Sequence, residues 1–182
     1  MNKKITIAID AMGGDDAPKK NIEGLDIFLK KNSYKDDFSI HLFGDEDILK
    51  RELVKKNIKS NLIKIIHTNG IVSDKESPLT AIKNSKNTSM WNAVKSQVEG
   101  NTDITLSAGN TGVLLVISKM ILKMMKEVSR PALAGLWPSN KGMSVVLDLG
   151  ANIECDEKNL IDFSEMGAAL YKSIFPEKRP YV

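Results

Sequence analysis

Three stretches combine glycine with acidic or small polar residues in patterns that suit anion chemistry. The first is Ser107-Ala108-Gly109-Asn110-Thr111-Gly112, which follows the apolar run Ile104-Thr105-Leu106 and precedes the long apolar run from Val113. That is the layout of a strand, a tight turn and a helix. Gly109 and Gly112 carry no Cβ, so another atom can approach their backbone closely. The N–H groups of a first helical turn have no partner within the helix, and the helix dipole favours negative charge beside them. Alone, such a turn is more often an empty connection than a ligand site. The second stretch, Asp10-Ala11-Met12-Gly13-Gly14-Asp15-Asp16-Ala17-Pro18, closes the β-branched run Ile5–Ile9. An acid at a strand end, two glycines and two further acids suit a site, although Asp15 or Asp16 would equally cap the helix that follows. The third, Asp148-Leu149-Gly150-Ala151-Asn152, ends another apolar run. Ser89 can cap a further helix, whose start is a second anion candidate, with Lys83 and Lys86 just upstream. Taken singly, each lysine reads as solvated surface.

Other chemistries find little support. Neither His41, inside a strand, nor His67, at the end of one, has neighbours at zinc-ligand spacing. Cys155 lies among Glu154, Asp156 and Glu157, which deny it the neighbouring cation a reactive thiolate needs. No Ser-His-Asp or Cys-His pair is evident. No metal and no organic cofactor is implied.

The elements that must hold these loops follow from hydrophobic periodicity. Ile5–Ile9 reads as a strand, Pro18 to about Asn32 as a helix, Ser39–Gly44 as a strand, a helix starts at Asp45 or Asp47, and Leu62–His67 is a third strand. This β-α-β-α-β order predicts a parallel sheet with right-handed crossovers. The 68–88 stretch is less regular, with a helical patch at Leu79–Ile82. Helices follow over 88–100, from Val113 to the Met124-Met125 pair, and over Asn159–Phe175. Arg130–Pro138 and Ser144–Leu149 read as strands, and Arg179–Val182 as the start of another. The expected fold class is therefore α/β: one three-layer α/β/α domain over residues 1–182 with a mainly parallel sheet. Loops 10–18, 107–112 and 148–152 are expected on one edge of that sheet, where open α/β sheets bind ligands. Composition agrees with a globular chain: 42% hydrophobic and 27% charged in 182 residues. A net charge of +3 without a basic stripe argues against nucleic acid. A single cysteine suits a reducing compartment. The N-terminus runs straight into a strand pattern, so no signal peptide is expected. No apolar stretch is long enough to span a bilayer, and no basic amphipathic helix is evident.

Ile7-Ala8-Ile9-Asp10-Ala11-Met12-Gly13-Gly14-Asp15-Asp16-Ala17-Pro18 resembles the N-terminal signature of the bacterial phosphate acyltransferase family PlsX. Lys86-Asn87-Thr88-Ser89-Met90, Ser107–Gly112, Arg130–Ala134 and Leu147–Asn152 resemble its later blocks, in order. Two departures stand out: many members carry His where this chain has Asp16, and members run well beyond residue 182. The resemblance implies the isocitrate dehydrogenase/phosphotransacetylase-like fold and an N-terminal part of a longer chain. It implies transfer of a fatty acyl group from acyl carrier protein to inorganic phosphate, giving acyl phosphate for phospholipid biosynthesis. It further implies a homodimer, a membrane acyltransferase that uses the product, and a cytoplasmic location at the inner face of the membrane or away from it. In that reading Asn110 and Thr111 contact phosphate or the developing oxyanion, with Asp10 and Asp15 as further catalytic candidates. Gly13, Gly14, Ser89, Ser107, Gly109, Gly112, Asp148 and Asn152 are the binding candidates. The methionines after Val113 would suit an acyl-chain channel, though core packing explains them as well. Two other readings stay open: a non-catalytic binding or dimerisation fragment, and a nucleotide-dependent dehydrogenase of related fold. The dehydrogenase lacks its Gly-x-Gly-x-x-Gly after the first strand.

Overall fold

The computed structural model describes residues 4–31, 38–59, 61–73, 77, 80, 83, 85–140 and 142–182. They form two compact units, Met1–Lys123 and Met124–Val182. Of the helical patch expected at Leu79–Ile82 only Thr80 is described, and it is helical; the expected helix end at Asn32 lies outside the described residues.

The first unit holds β1 (Ile5–Asp10), α1 (Lys19–Lys31), β2 (Phe38–Gly44), α2 (Glu46–Lys55), β3 (Ile63–His67), α3 (Ser89–Val98), β4 (Ile104–Ser107) and α4 (Thr111–Leu122). Its four strands are parallel, in the order β3-β2-β1-β4. The chain adds strands on one side of β1 and then crosses to the other side for β4. The β1–β4 edge is thus the point where the winding direction reverses, and ligands of open α/β sheets bind outside the carboxyl ends of strands at such points.

Both sheet faces are covered, as a parallel sheet requires. On one face Ile22 and Leu25 of α1 and Leu49 of α2 pack on Ile40 and Leu42 of β2. On the other, Ala93 of α3 packs against Ala8 and Phe43, the small Ala8 letting the helix lie close. Met90 and Val94 of α3 join Val113 and Ile117 of α4 in a further cluster.

The helix starts are set by short polar side chains. Asp45 caps α2, accepting the Ile48 N–H at 2.9 Å. Thr88, not Ser89, caps α3: its hydroxyl accepts the Trp91 N–H at 3.2 Å and donates to the Ser85 carbonyl at 2.7 Å. Ser89 is instead the first helical residue and is buried. The α4 helix begins two residues before the apolar run, because Asn110 supplies its cap. It ends at Leu122, short of the Met124-Met125 pair.

The second unit holds β5 (Gly135–Ser139), β6 (Gly142–Val146) and α5 (Glu157–Ile174), which packs on β6. The two strands form an antiparallel hairpin rather than further parallel strands. Only two residues join them, too few for a crossover, and Gly142 takes a φ of +125° at the turn. Asp156 and Asn159 form a reciprocal capping box that starts α5 two residues before the expected Asn159. Residues 179–182 have no regular secondary structure.

Leu42 is 1% exposed at the centre of the first core. Leu42→Ala is expected to cost about 2–5 kcal/mol, and Ile104→Ala on the half-exposed β4 about 1 kcal/mol or less. Urea unfolding checks both, and equal losses would misplace the core.

Candidate functional site

The loops that follow β1 and β4 meet at the winding reversal. Asp10 ends β1 directly opposite Ser107, the last residue of β4. The Ser107 hydroxyl donates to Asp10 Oδ2 at 2.7 Å, and the Gly109 N–H donates to Ser107 Oγ at 3.1 Å. Asn21, from α1, donates to the carbonyls of Ala11 and Gly13 at 2.9 Å each, holding the first loop.

The glycines let the two loops touch. A Cβ on Gly13 would stand 2.4 Å from Asp10 Oδ2 and 3.1 Å from the Gly109 nitrogen. A Cβ on Gly14, whose φ is +94°, would stand 2.7 Å from the Ala108 carbonyl oxygen. Around Gly13 and Gly14 the space that a side chain would need is therefore occupied by Asp10 and by backbone of the facing loop.

Asp10 is 1% exposed. Burial pushes its carboxyl above the ordinary 3.8, opposed by the neighbouring Ser89 and Ser107 hydroxyls and the Met12 and Gly13 N–H groups. Its Oδ1 has no hydrogen bond of normal geometry among the described residues.

At the start of α4, Asn110 Oδ1 accepts the Val113 N–H at 3.1 Å and the Asn110 carbonyl takes the Leu114 N–H at 2.9 Å. The N–H groups of Thr111 and Gly112 then have no partner among the described residues. They sit at the positive end of the α4 dipole. Thr111 is exposed and Gly112 half-buried. These two N–H groups are the donors of the turn that no described residue engages. A cavity of about 400 Å³, lined by Ile7, Leu25, Phe28 and Leu106, reaches Asp10 and Ser107.

Asp15 is exposed. Asp16 pairs with Lys20 at 2.9 Å, and that hydrogen bond and charge hold its carboxyl below the ordinary range. His67 accepts the Glu46 N–H on Nδ1 at 3.2 Å, and its Nε2 lies 2.7 Å from Asn69 Oδ1, so it ties down the first turn of α2. Asp148 and Asn152 belong to the second unit and knit its loop. Asp148 Oδ1 accepts the Leu133 N–H at 2.8 Å and Oδ2 accepts the Asn152 N–H at 2.7 Å, while Asn152 Nδ2 donates to the Pro131 carbonyl at 2.8 Å. Burial would raise the Asp148 carboxyl, but the Leu133 N–H and the Asn152 donors outweigh it and hold the group below the ordinary range. Cys155 is exposed. Among the described residues no His, Cys, Asp and Glu group is arranged to hold a metal ion, and no helix is long and apolar enough to cross a membrane. Sequence reasoning missed Asn21, whose place in an amphipathic helix carries no local sign of its partners eight and ten residues back.

Two expectations follow. Asn110→Ala loses a cap and costs about 1 kcal/mol of stability, whereas Asn110→Asp retains it; thermal melts check both. Because the folded state raises the Asp10 carboxyl, its contribution to stability is complete below 3.8 and is lost as pH rises through the raised value. The stability difference between wild type and Asp10→Asn should therefore fall with pH over that window, and a pH-independent difference would contradict the burial effect.

The chain is similar to known proteins along nearly all of its length. Residues 5–182 match a family model described as "Fatty acid synthesis protein". The phosphate acyltransferase of Pelagibacter ubique is 50% identical over 177 residues, covering 97% of this chain and 52% of that protein. That of Parvibaculum lavamentivorans is 39% identical over 183 residues, covering 100% of this chain and 50% of that protein. The chain thus spans about half the length of the curated relatives it matches. Among solved structures, the EutD phosphotransacetylase from Staphylococcus aureus superposes with a TM-score of 0.69 at 16% identity, covering 96% of this chain and 55% of that one. At that identity the likeness speaks for the phosphotransacetylase-like fold alone. With the motif blocks in order and the family model matched over residues 5–182, the chain belongs to the fatty acid synthesis protein family of phosphate acyltransferases, PlsX.

Proposed function

We propose that this chain supplies the phosphate-handling half of an enzyme that transfers a fatty acyl group from acyl carrier protein to inorganic phosphate. The observation that carries the reading is the pair of open N–H donors at Thr111 and Gly112, at the winding reversal of the sheet. A phosphate seated there has its negative oxygens on the two N–H groups and the helix dipole. One phosphate oxygen attacks the thioester carbonyl carbon. A C–O bond forms, the C–S bond breaks, and the carrier leaves as its thiol after taking up a proton, with acyl phosphate as the other product. Phosphate is itself the nucleophile, so positioning and charge stabilisation are the protein's share of the work. In this reading the Thr111 side chain and Ser89 assist the anion, and Asp10 holds the turn through Ser107. The apolar cavity takes the first carbons of the acyl chain. Asp15, Asp148 and Asn152 act through their loops. The same reading places the product in phospholipid biosynthesis, with a homodimer, and a membrane acyltransferase as consumer.

Thr111→Pro tests the central donor. Position 111 is the first residue of α4, where proline is tolerated; the change removes the N–H and the threonine hydroxyl together, and Thr111→Val, which keeps the N–H and loses the hydroxyl, separates the two. Asn110 already has the extended backbone (ψ 111°) that a following proline requires. With acyl-carrier thioester and phosphate supplied, trapping of acyl phosphate by hydroxylamine reports turnover. Thr111→Pro is expected to lower it by roughly 10²–10³-fold with little change in melting temperature, while Thr111→Ser keeps most of it. Phosphate binding without any release of carrier thiol would leave this chain a binding fragment of the enzyme. Unchanged turnover in Thr111→Pro would remove the turn from the site.

A further inference from the structure

The Ser107 hydroxyl has one proton and two lone pairs. Its proton goes to Asp10 Oδ2 at 2.7 Å, and one lone pair takes the Gly109 N–H at 3.1 Å. One acceptor position remains, and Ser107 is only partly buried. Gly109, whose N–H it holds, lies two residues before Thr111, the first residue of α4. The hydroxyl is not free to reverse. Asp10 is 1% exposed and its Oδ1 has no hydrogen bond of normal geometry among the described residues. Turning the Ser107 proton outward would strip Oδ2 of that donor in a buried setting, which is costly for a carboxylate.

We propose that Ser107 is a specificity-determining residue that makes the α4 turn select a protonated tetrahedral oxyanion, hydrogen phosphate, over sulfate. The inference rests on the phosphate site proposed above. Near neutral pH inorganic phosphate and arsenate keep at least one hydroxyl, which can donate to the remaining Ser107 lone pair. Sulfate has no proton to donate and would set an oxygen lone pair against another. A site whose polar group is left unpaired by an analogue rejects that analogue strongly. The Thr111 and Gly112 donors cannot make this distinction, because they serve any oxyanion alike.

Calorimetric titration of the chain with sodium phosphate, arsenate and sulfate at matched ionic strength tests the proposal. Phosphate and arsenate are expected to bind alike, and sulfate at least about tenfold more weakly. Ser107→Ala should bring phosphate and sulfate to within about threefold of each other, whereas Ser107→Thr, which keeps the hydroxyl, should retain the preference. If Ser107→Ala fails to fold, the wild-type ratio and the threonine variant still decide. Equal binding of sulfate and phosphate by the wild type, or an undiminished preference in a folded Ser107→Ala, would overturn the role of Ser107 while leaving the phosphate site standing. Failure of all three anions to bind would overturn the phosphate site itself.

Discussion

A single buried carboxylate ties the candidate site together. Asp10 stands at the end of β1, where the sheet reverses its direction of winding, and its Oδ2 takes the hydroxyl proton of Ser107 from β4. Ser107 in turn takes the Gly109 N–H. This chain of two hydrogen bonds fixes the turn that opens α4. A buried charge with incomplete hydrogen bonding is costly, and the fold accepts that cost where two loops must be locked in register. The glycines serve the same end. A Cβ on Gly13 would collide with Asp10 Oδ2 at 2.4 Å, and one on Gly109 would crowd the Met90 side chain at 3.0 Å and the Gly13 Cα at 3.3 Å.

Locking the turn also decides which groups are left for a ligand. Gly109 has spent its N–H on Ser107, and Val113 and Leu114 have spent theirs on Asn110. The Thr111 and Gly112 donors remain, at the end of a helix whose dipole favours an anion. Acyl transfer to phosphate asks little more of a protein than this, because the nucleophile arrives with the substrate. The chain is similar to phosphate acyltransferases along nearly all of its own length, and the proposed phosphate site uses only donors that the fold leaves unengaged.

Much of this arrangement was legible in the amino-acid sequence, for identifiable reasons. The strands and helices of the first unit follow from local periodicity, and the Asp10–Asp16 and Ser107–Gly112 stretches stand out because glycine beside small polar residues at a strand end is a local signal. The strand order was not legible: pairing of β4 with β1 joins residues 97 positions apart, and nothing in either segment names its neighbour. Nor does the sequence of either loop show that the space beside Gly13 and Gly14 is filled by the other. Thr88 displaced Ser89 as the cap of α3 because two adjacent hydroxyl residues offer the same local chemistry. In the second unit Asp148 and Asn152 bond to each other and to the 131–133 backbone, partners that the 148–152 stretch does not name. Arg130–Pro138 and Ser144–Leu149 read as strands; the structure pairs 135–139 with 142–146 as a hairpin, because the connection between them is too short for a crossover.

The central claim is that the open N–H donors of Thr111 and Gly112 hold phosphate. The most direct measurement is a titration of the isotopically labelled chain with inorganic phosphate, followed by amide chemical shifts. The account predicts that the Thr111 and Gly112 amides move most and saturate together, with smaller shifts at Gly109 and Ser107. Saturable shifts confined to other residues, with Thr111 and Gly112 unmoved, would contradict it.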